Sequence, residues 1–229
     1  MFLKDFLFPK FCLGCGFLGA YICHNCRKNL YYMEKDMCIY CSHNSLYGLT
    51  HPACKRRYGI DGFLSIFHYN NLLKSIIKSI KYRYALDVWR EFCLIIEPES
   101  ILKVASLKKI VKGPIFLEPI PLHRSKLRHR GFNQARIIAE YFSHRLSLPM
   151  TSCLVRTKDT EPQAQLRKNS ERFRNMQGAF DVEGTKVVTG QYIILIDDVV
   201  TTGSTVKEAA RALKLGGAKG VFTLSVAHG

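Results

Sequence analysis

Short apolar runs along the chain are separated by polar turns and amphipathic stretches. Runs of strand length lie at 62–69, 115–120, 150–155, 193–196 and 219–226. Their length and apolar character are those of buried strands in a parallel sheet. Helices are predicted between them, at 70–82, 135–146 and 206–215. This alternation predicts an α/β fold, with a parallel sheet flanked by helices.

The same pattern predicts three further features. Residues 2–8 place several apolar side chains on one helical face, which favours a docking helix over a helix at a membrane interface. Residues 84–112 have a mixed helical pattern, and the polar residues 156–175 have no aliphatic run and predict a mobile flap. A boundary near residue 60 divides the chain into a small N-terminal module, 1–60, and a larger domain, 61–229.

Composition adds a strong positive charge. Of the 229 residues, 47% are hydrophobic and 23% charged, as in ordinary globular proteins. The 34 Lys and Arg against 18 Asp and Glu give a formal net charge of +16. This excess favours a polyanionic partner, nucleic acid before membrane, and the alternative is a basic surface that serves solubility alone. Lys74, Lys78 and Lys81 form one cationic stripe on the predicted helix 70–82 and fit either view.

The chain carries nine cysteines but lacks the form of a secreted protein. Its first residues do not have the pattern of a signal peptide, and no apolar run approaches the ~18 residues that span a bilayer. We therefore expect a cytoplasmic protein that is not integral to the membrane, with a peripheral position at the inner membrane as the alternative. In a reducing compartment, paired cysteines are more often metal ligands than disulfides.

The cysteine pairs keep a gap of two residues, which suits one tetrahedral ion for every two pairs. Taken in sequence order, they predict two zinc sites, formed by Cys12, Cys15, Cys23 and Cys26 and by Cys38, Cys41, His51 and Cys54. His43 is an alternative ligand for the second site, and occupation of only one of the two sites is a further alternative. Reduced cysteines in a small core are the alternative for both. Four protein ligands leave no open position, so a structural role is expected.

Residues 192–205, YIILIDDVVTTGST, combine an apolar run with acids, hydroxyls and a glycine. The run ends at Asp197 and Asp198, and Ser204 or Thr205 is the predicted N-cap of the helix that follows. Backbone amides and hydroxyls in this loop suit a phosphate, while the ionised acids suit a polyol or a metal. The predicted ligand is a 5-phosphorylated ribose, and the alternative is an ordinary strand-to-helix turn. The loop residues are Thr201, Thr202, Gly203, Ser204 and Thr205.

A basic stretch follows the predicted strand 115–120. Its alternating cations, in an extended conformation, would project from one side. They are Arg124, Lys126, Arg128 and Arg130. Gly131 would let backbone amides approach a ligand, Phe132 would stack on a base or act as a hydrophobic staple, and Asn133 would cap the next helix. The alternative is an exposed basic loop without a ligand.

Residues 193–205 resemble the signature of type I phosphoribosyltransferases. The stretches PIPLHRSKLRHRGFNQA (119–135) and TEPQAQLRKNSERFRNMQGAF (160–180), together with the cysteine pairs, resemble the ComF family of competence proteins. The resemblance implies that Asp197 and Asp198 hold the ribose of phosphoribosyl pyrophosphate with Mg²⁺. It also implies that the 201–205 loop holds the 5-phosphate, that the cations and Gly131 face pyrophosphate, and that the cysteines form a double zinc ribbon.

Two functions compete at this point. One is phosphoribosyl transfer, with Asp197 and Asp198 as the catalytic pair. The other, which we favour, is the binding of incoming single-stranded DNA in the cytoplasm during natural transformation. By resemblance, ComF proteins act there alongside a competence helicase and a recombination mediator. The charge and the zinc ribbons favour DNA, because a small-substrate enzyme needs neither and the sequence shows no segment for a nucleobase acceptor.

Overall fold

The computed structural model describes residues 9–80, 85–160, 168–184 and 188–229. The helix predicted at 2–8 lies outside these ranges. In chain order the helices and strands are α1 (His24–Arg27), β1 (Gly62–His68), α2 (Asn71–Ile80), α3 (Ala85–Cys93), α4 (Pro98–Ala105), α5 (Leu107–Ile110), β2 (Ile115–Pro119), α6 (Arg124–Arg130), α7 (Gln134–Leu146), β3 (Leu154–Arg156), α8 (Asn169–Met176), β4 (Phe180–Val182), β5 (Tyr192–Val200), α9 (Ser204–Leu215) and β6 (Gly220–His228). None of these helices is long and apolar enough to cross a membrane.

The main sheet has four parallel strands in the order β1-β6-β5-β2. Strand β6 is buried over nearly its whole length, and β5 is fully buried from Ile193 to Ile196, because helices cover both faces. The predicted parallel sheet flanked by helices is therefore confirmed. The carboxyl ends of β2 and β5 lie side by side, so the segments that follow these two strands meet at one edge of the sheet.

Alternate residues of β5 belong to different cores. Ile194 and Ile196 pack in the cluster that includes residues of α2, α3 and α7, whereas Ile193 and Leu195 pack in the cluster that includes residues of α9. This two-sided burial follows from the period of two in a strand. It explains why the apolar run of β5 shows no polar alternation.

The N-terminal module covers the outer edge of β1. Met33 N–H donates a hydrogen bond to the carbonyl of Ile66 at 2.8 Å, and His68 N–H donates to Tyr31 at 2.9 Å. Thr50 N–H bonds the carbonyl of Asp61 at 2.8 Å. The backbone groups of this edge are thus paired inside the chain, where an open edge would invite pairing with another molecule.

Two predictions of local structure are wrong in part. The predicted strand at 150–155 is shorter, since β3 begins at Leu154 and Met150 makes only an isolated bridge to Leu117. The predicted flap contains a helix, α8, where Glu171 accepts a hydrogen bond from Lys168 N–H in a capping box. Residues 161–167 of the flap lie outside the described ranges.

Candidate functional site

Strand β5 carries both acids within its length. The predicted end at Ile196 is wrong, because Asp197 stays in register with Ser225 of β6 and Val200 with His228. Both acids are half-buried. Asp198 N–H donates to the Oδ1 atom of Asp197 at 2.9 Å, so the two side chains are held close to the backbone at the end of the strand.

The 201–205 loop connects this strand to α9. The predicted caps, Ser204 and Thr205, are wrong, since both lie in the first turn of the helix and Gly203 is the N-cap. Gly203 has φ +70°, a conformation that favours glycine. Gly203 has no side chain to accept a hydrogen bond from the first turn. The Oγ1 atom of Thr202 does so instead, accepting from Ser204 N–H at 3.4 Å. The loop therefore presents hydroxyls and amides at the start of a twelve-residue helix.

The basic stretch after β2 forms helix α6, so the predicted extended conformation is wrong. His123 caps the helix by accepting from Ser125 N–H at 3.3 Å, and Gly131, with φ +80°, ends it. The helix ended by Gly131 thus contains all four predicted cations. Asn133 caps α7, as predicted, because its Oδ1 atom accepts a hydrogen bond from Ala135 N–H at 3.1 Å. These caps fix both ends of α6 and the turn into α7.

A helix places residues two apart on different sides, so the four cations of α6 divide into pairs. Arg124 and Arg128 are exposed, whereas Lys126 and Arg130 are half-buried. The inner pair joins Arg156 of β3, and we call Lys126, Arg130 and Arg156 the cation cluster. Sequence reasoning predicted two of its members and missed Arg156.

Arg156 of the cation cluster interacts electrostatically with Asp197. Burial lowers the pKa of Arg156, Asp197 opposes that effect, and Arg130 lowers the pKa further. Burial also lowers the pKa of Lys126, with Arg156 as the next cause. The Nε atom of Arg156 is buried and has no hydrogen-bond partner among the described atoms. The cations of the cluster disfavour one another's charge, and Asp159 opposes this effect at Lys126 and Arg156. An anion bound among the cations would oppose it further.

Asp159 links the flap to the start of α6. Its carboxylate lies 3.3 Å from His123 Nδ1 and 3.7 Å from Lys126 Nζ, and it accepts a hydrogen bond from the hydroxyl of Ser125. That hydrogen bond is the main cause that lowers the pKa of Asp159. Sequence reasoning missed this residue, since no motif distinguishes it within the polar flap. The position of Arg156, directly after a predicted strand, was the available signal for the other missed residue.

Phe132 lies apart from the 201–205 loop. It lines a cavity of about 1240 Å³ between α3, α7 and the turn after α6. Arg130 and Gly131 share this wall with Phe132, and the buried carboxyl of Glu118 also lines the cavity. The loop residues Thr201, Thr202 and Ser204 line a second cavity of about 720 Å³ together with residues of the N-terminal module. Three of the predicted site residues therefore line one cavity and three others line a second.

The first four cysteines form one cluster. Their sulfur atoms lie within 4.8 Å of one another, as a tetrahedral shell requires. Cys15 Sγ lies 3.6 Å from Cys23 Sγ, and Cys23 N–H points at Cys12 Sγ at 3.4 Å. A backbone amide directed at a sulfur is the usual support of a metal-bound thiolate. This donor set can hold a zinc ion, as predicted.

The second cluster brings together Cys38, Cys41, His51 and Cys54, also within 4.8 Å. His51 Nδ1 lies 3.3 Å from Cys41 Sγ, and His51 Nε2 lies 3.1 Å from the carbonyl of Asn44. A proton on Nε2 would bond that carbonyl and leave Nδ1 as a ligand. His51, the ligand predicted from the sequence in preference to His43, thus lies in the cluster. This donor set also fits zinc.

The fold and the site define a class of protein, the type I phosphoribosyltransferase fold with an N-terminal cysteine-rich module. Residues 129–228 match the family described as "Phosphoribosyl transferase domain". That range includes α7, the flap, the acids of β5 and the 201–205 loop.

The relatives identify the family. The chain is 30% identical over 202 residues to Competence protein ComFC of Bacillus subtilis (84% of this chain, 77% of that protein). It is 28% identical over 211 residues to Competence protein F of Haemophilus influenzae (84% and 90%). It is also 38% identical over 107 residues to the DNA utilization protein YhgH of Escherichia coli K12 (44% of each). This chain belongs to the ComF family of competence proteins.

Proposed function

We propose that this protein binds incoming single-stranded DNA during natural transformation and that its sugar-phosphate site holds a 5-phosphorylated ribose. The names of the relatives support a role in competence and DNA utilization. The formal net charge of +16 supports a polyanionic partner. We place this activity in the cytoplasm, with a competence helicase and a recombination mediator as proposed partners.

The observation that carries the proposal is the cation cluster beside Asp197. Within the described ranges, two carboxylates, Asp159 and Asp197, act on the charges of Lys126 and Arg156, and burial disfavours both of these charges. An anion with several negative oxygens would offset the repulsion. The 201–205 loop, which follows β5 at the same edge of the sheet, would hold a phosphate on its amides and hydroxyls.

The outer face of α6 provides a path for the strand. Arg124 and Arg128 are exposed and lie one helical turn apart. Phe132 borders the nearby cavity of about 1240 Å³, where we propose that a nucleobase stacks on its ring. Contacts of arginines with DNA phosphates and stacking of a base on an aromatic ring do not depend on base identity. We therefore propose binding without strong sequence preference.

The test is a comparison of two double variants in single-stranded DNA binding. Each phosphate contact with a single strand contributes about 0.7 to the log-log salt slope, so Arg124→Ala with Arg128→Ala should shallow the slope by about 1.4. Lys74→Ala with Lys78→Ala is the matched control, because it removes two exposed cations from α2. Equal losses in the two variants would show that charge attracts DNA everywhere and would contradict a path along α6.

Phosphoribosyl transfer is the second candidate, and the acids of β5 favour it. Asp197 and Asp198 would hold the ribose hydroxyls of phosphoribosyl pyrophosphate, and Mg²⁺ would neutralise charge on the pyrophosphate. The cation cluster would stabilise the departing pyrophosphate in the same place. The two candidates share a ligand site, so they differ only in whether an acceptor is used.

Phosphoribosyl pyrophosphate with Mg²⁺ should raise the melting temperature by about 5–10 °C at a hundred-fold excess over the dissociation constant. Asp198→Asn should abolish this shift without unfolding the protein. An unchanged melting temperature in the parent protein would contradict the proposed ribose site. Release of pyrophosphate with a nucleobase acceptor would instead favour the enzyme.

A further inference from the structure

The N-terminal module contacts the 201–205 loop through the turn between Cys38 and Cys41, which belong to the second cluster. Ile39 directly follows Cys38, and its Cδ1 atom would lie 3.2 Å from a Cβ atom placed on Gly203. Ile39 is 9% exposed and belongs to the core that includes Val200 and Val206, on either side of the loop. The side chain of Ile39 therefore packs against the backbone of the loop at its N-cap.

Tyr40, the next residue, contacts the loop through Lys207. The ammonium of Lys207 lies 5.2 Å from the centre of the Tyr40 ring and donates a hydrogen bond of 2.9 Å to the carbonyl of Thr202. Tyr40 is itself fixed, since its hydroxyl accepts from Ile60 N–H at 2.9 Å and Arg56 lies 5.2 Å from its ring centre. A chain of contacts thus runs from Tyr40 through Lys207 to Thr202.

Both contacts come from the two residues between Cys38 and Cys41. A metal bound by this pair fixes the turn between the two cysteines, and with it the direction of the side chains it carries. Ile39, Tyr40 and Ser42 also line the cavity of about 720 Å³ that Thr201, Thr202 and Ser204 share. Residues next to the cysteines of the second cluster and residues of the loop therefore line one cavity.

We propose that the second cysteine-histidine cluster positions the 201–205 loop, so that metal in the cluster holds the loop in its ligand-binding conformation. Ile39 and Tyr40 are the positioning residues. Loss of metal from this cluster would loosen the loop and weaken the binding of a phosphorylated ligand. The module is then part of the sugar-phosphate site and more than an appendage to the domain.

The first cluster provides an internal control, because its contacts lie elsewhere. Leu13 and Gly14 occupy the equivalent positions between Cys12 and Cys15. A Cβ atom placed on Gly14 would lie 3.0 Å from Leu72 Cδ1 of α2, and Leu13 packs against the core on that side of the sheet. Metal loss at the first cluster should leave the 201–205 loop unchanged.

Hydrogen exchange of the full-length, zinc-loaded protein tests the proposal. In Cys41→Ser, amides of residues 201–207 should exchange about ten-fold faster or more, because local opening becomes easier. Cys15→Ser is the matched control and should leave these amides unchanged. Zinc content is measured for each variant to confirm that only the intended cluster is affected.

A second variant keeps the metal ligands. Ile39→Ala with Tyr40→Leu should retain zinc and still speed exchange at 201–207, whereas Leu13→Ala should not. This double variant decides the question even if Cys41→Ser fails to fold. Unchanged exchange at 201–207 with zinc retained would overturn the proposal, as would equal acceleration in the variants of both clusters.

A binding measurement with phosphoribosyl pyrophosphate adds the functional consequence. The variants at Ile39, Tyr40 and Cys41 should bind at least about ten-fold more weakly, while those at Leu13 and Cys15 bind as the parent does. This measurement rests on the proposed ribose site. Failure of the parent protein to bind would contradict that site, and hydrogen exchange would still decide whether the cluster positions the loop.

Discussion

Glu208 of α9 accepts a hydrogen bond of 2.8 Å from Gly178 N–H, which joins the end of the flap to the helix that begins at the 201–205 loop. Glu208 is 3% exposed and also pairs with Arg211 at 2.8 Å. Because β4 begins two residues later, this carboxylate fixes the point where the flap returns to the fold. The flap and the loop are thus attached to one helix.

Glu208→Ala should lower the free energy of unfolding by about 1.5–3 kcal/mol, the usual contribution of hydrogen bonds to a charged group. The loss stays below that of a fully buried ion pair, since Arg211 remains 42% exposed and can be hydrated. Urea unfolding measures it. Glu140→Ala is the control, because its exposed pair with Arg136 contributes only about 0.3–0.5 kcal/mol. Similar losses in both variants would show that Glu208 is not a special attachment.

We expect two zinc ions per chain, one for each cluster. Cys26→Ser should lose one ion and destabilise the module, because a structural metal supplies folding free energy that so small a core lacks. Elemental analysis and limited proteolysis of residues 9–60 measure these effects. Cys93→Ser is the control, since burial raises the pKa of the Cys93 thiol to about 12 and the residue belongs to neither cluster. Protein purified without chelator and free of zinc would contradict this prediction.

The sequence predicted the central sheet because its signal is local. The apolar run at 193–196 has one interpretation, burial on both faces, and the cysteine spacing allows the grouping that the structure has. The alternating cations of 124–130 are compatible with an extended chain and with a helix. An extended chain would align them, but helix α6 forms because His123 and Gly131 supply caps at its ends. Histidine is not a usual cap, so the signal was weak.

Contacts between segments that are distant in the sequence could not be predicted from its pattern. Arg156 interacts electrostatically with Asp197, and the strand that carries it, β3, is paired with β4. Strand pairing across distant segments has no local signal in the sequence. The contact of Ile39 with Gly203 is equally remote, since the two positions are 164 apart in the sequence. The site could thus be predicted in its motifs but not in its supporting contacts.

Because of Glu118, we expect the free energy of unfolding to depend on pH. Its carboxyl, 1% exposed, accepts hydrogen bonds of 3.1 Å from the N–H groups of Cys153 and Leu154, and burial nevertheless raises its pKa. An acid whose pKa is raised by folding favours the folded state most when it is protonated, and that contribution is lost as the pH rises through the raised value. The free energy of unfolding of the parent, relative to Glu118→Gln, should therefore fall between about pH 4 and the raised pKa. Parallel pH profiles of the two proteins would contradict this.

Arg156→Met tests whether the cation cluster is built for a ligand. The variant keeps a long side chain beside Phe180, whose ring centre lies 5.5 Å from the guanidinium, but it removes a charge that burial disfavours. The free energy of unfolding without ligand should change by less than about 1 kcal/mol, since the relieved repulsion from Arg130 and the removed desolvation cost offset the lost attraction to Asp197. Affinity for inorganic pyrophosphate, measured by calorimetry, should fall about 10- to 150-fold, as loss of a charged hydrogen bond implies.

Arg128→Met, on the exposed side of α6, is the control. It should leave the affinity for pyrophosphate within about two-fold of the parent, because exposed charge pairs contribute little. A large loss of stability with unchanged pyrophosphate affinity would show that Arg156 serves the fold and not the ligand.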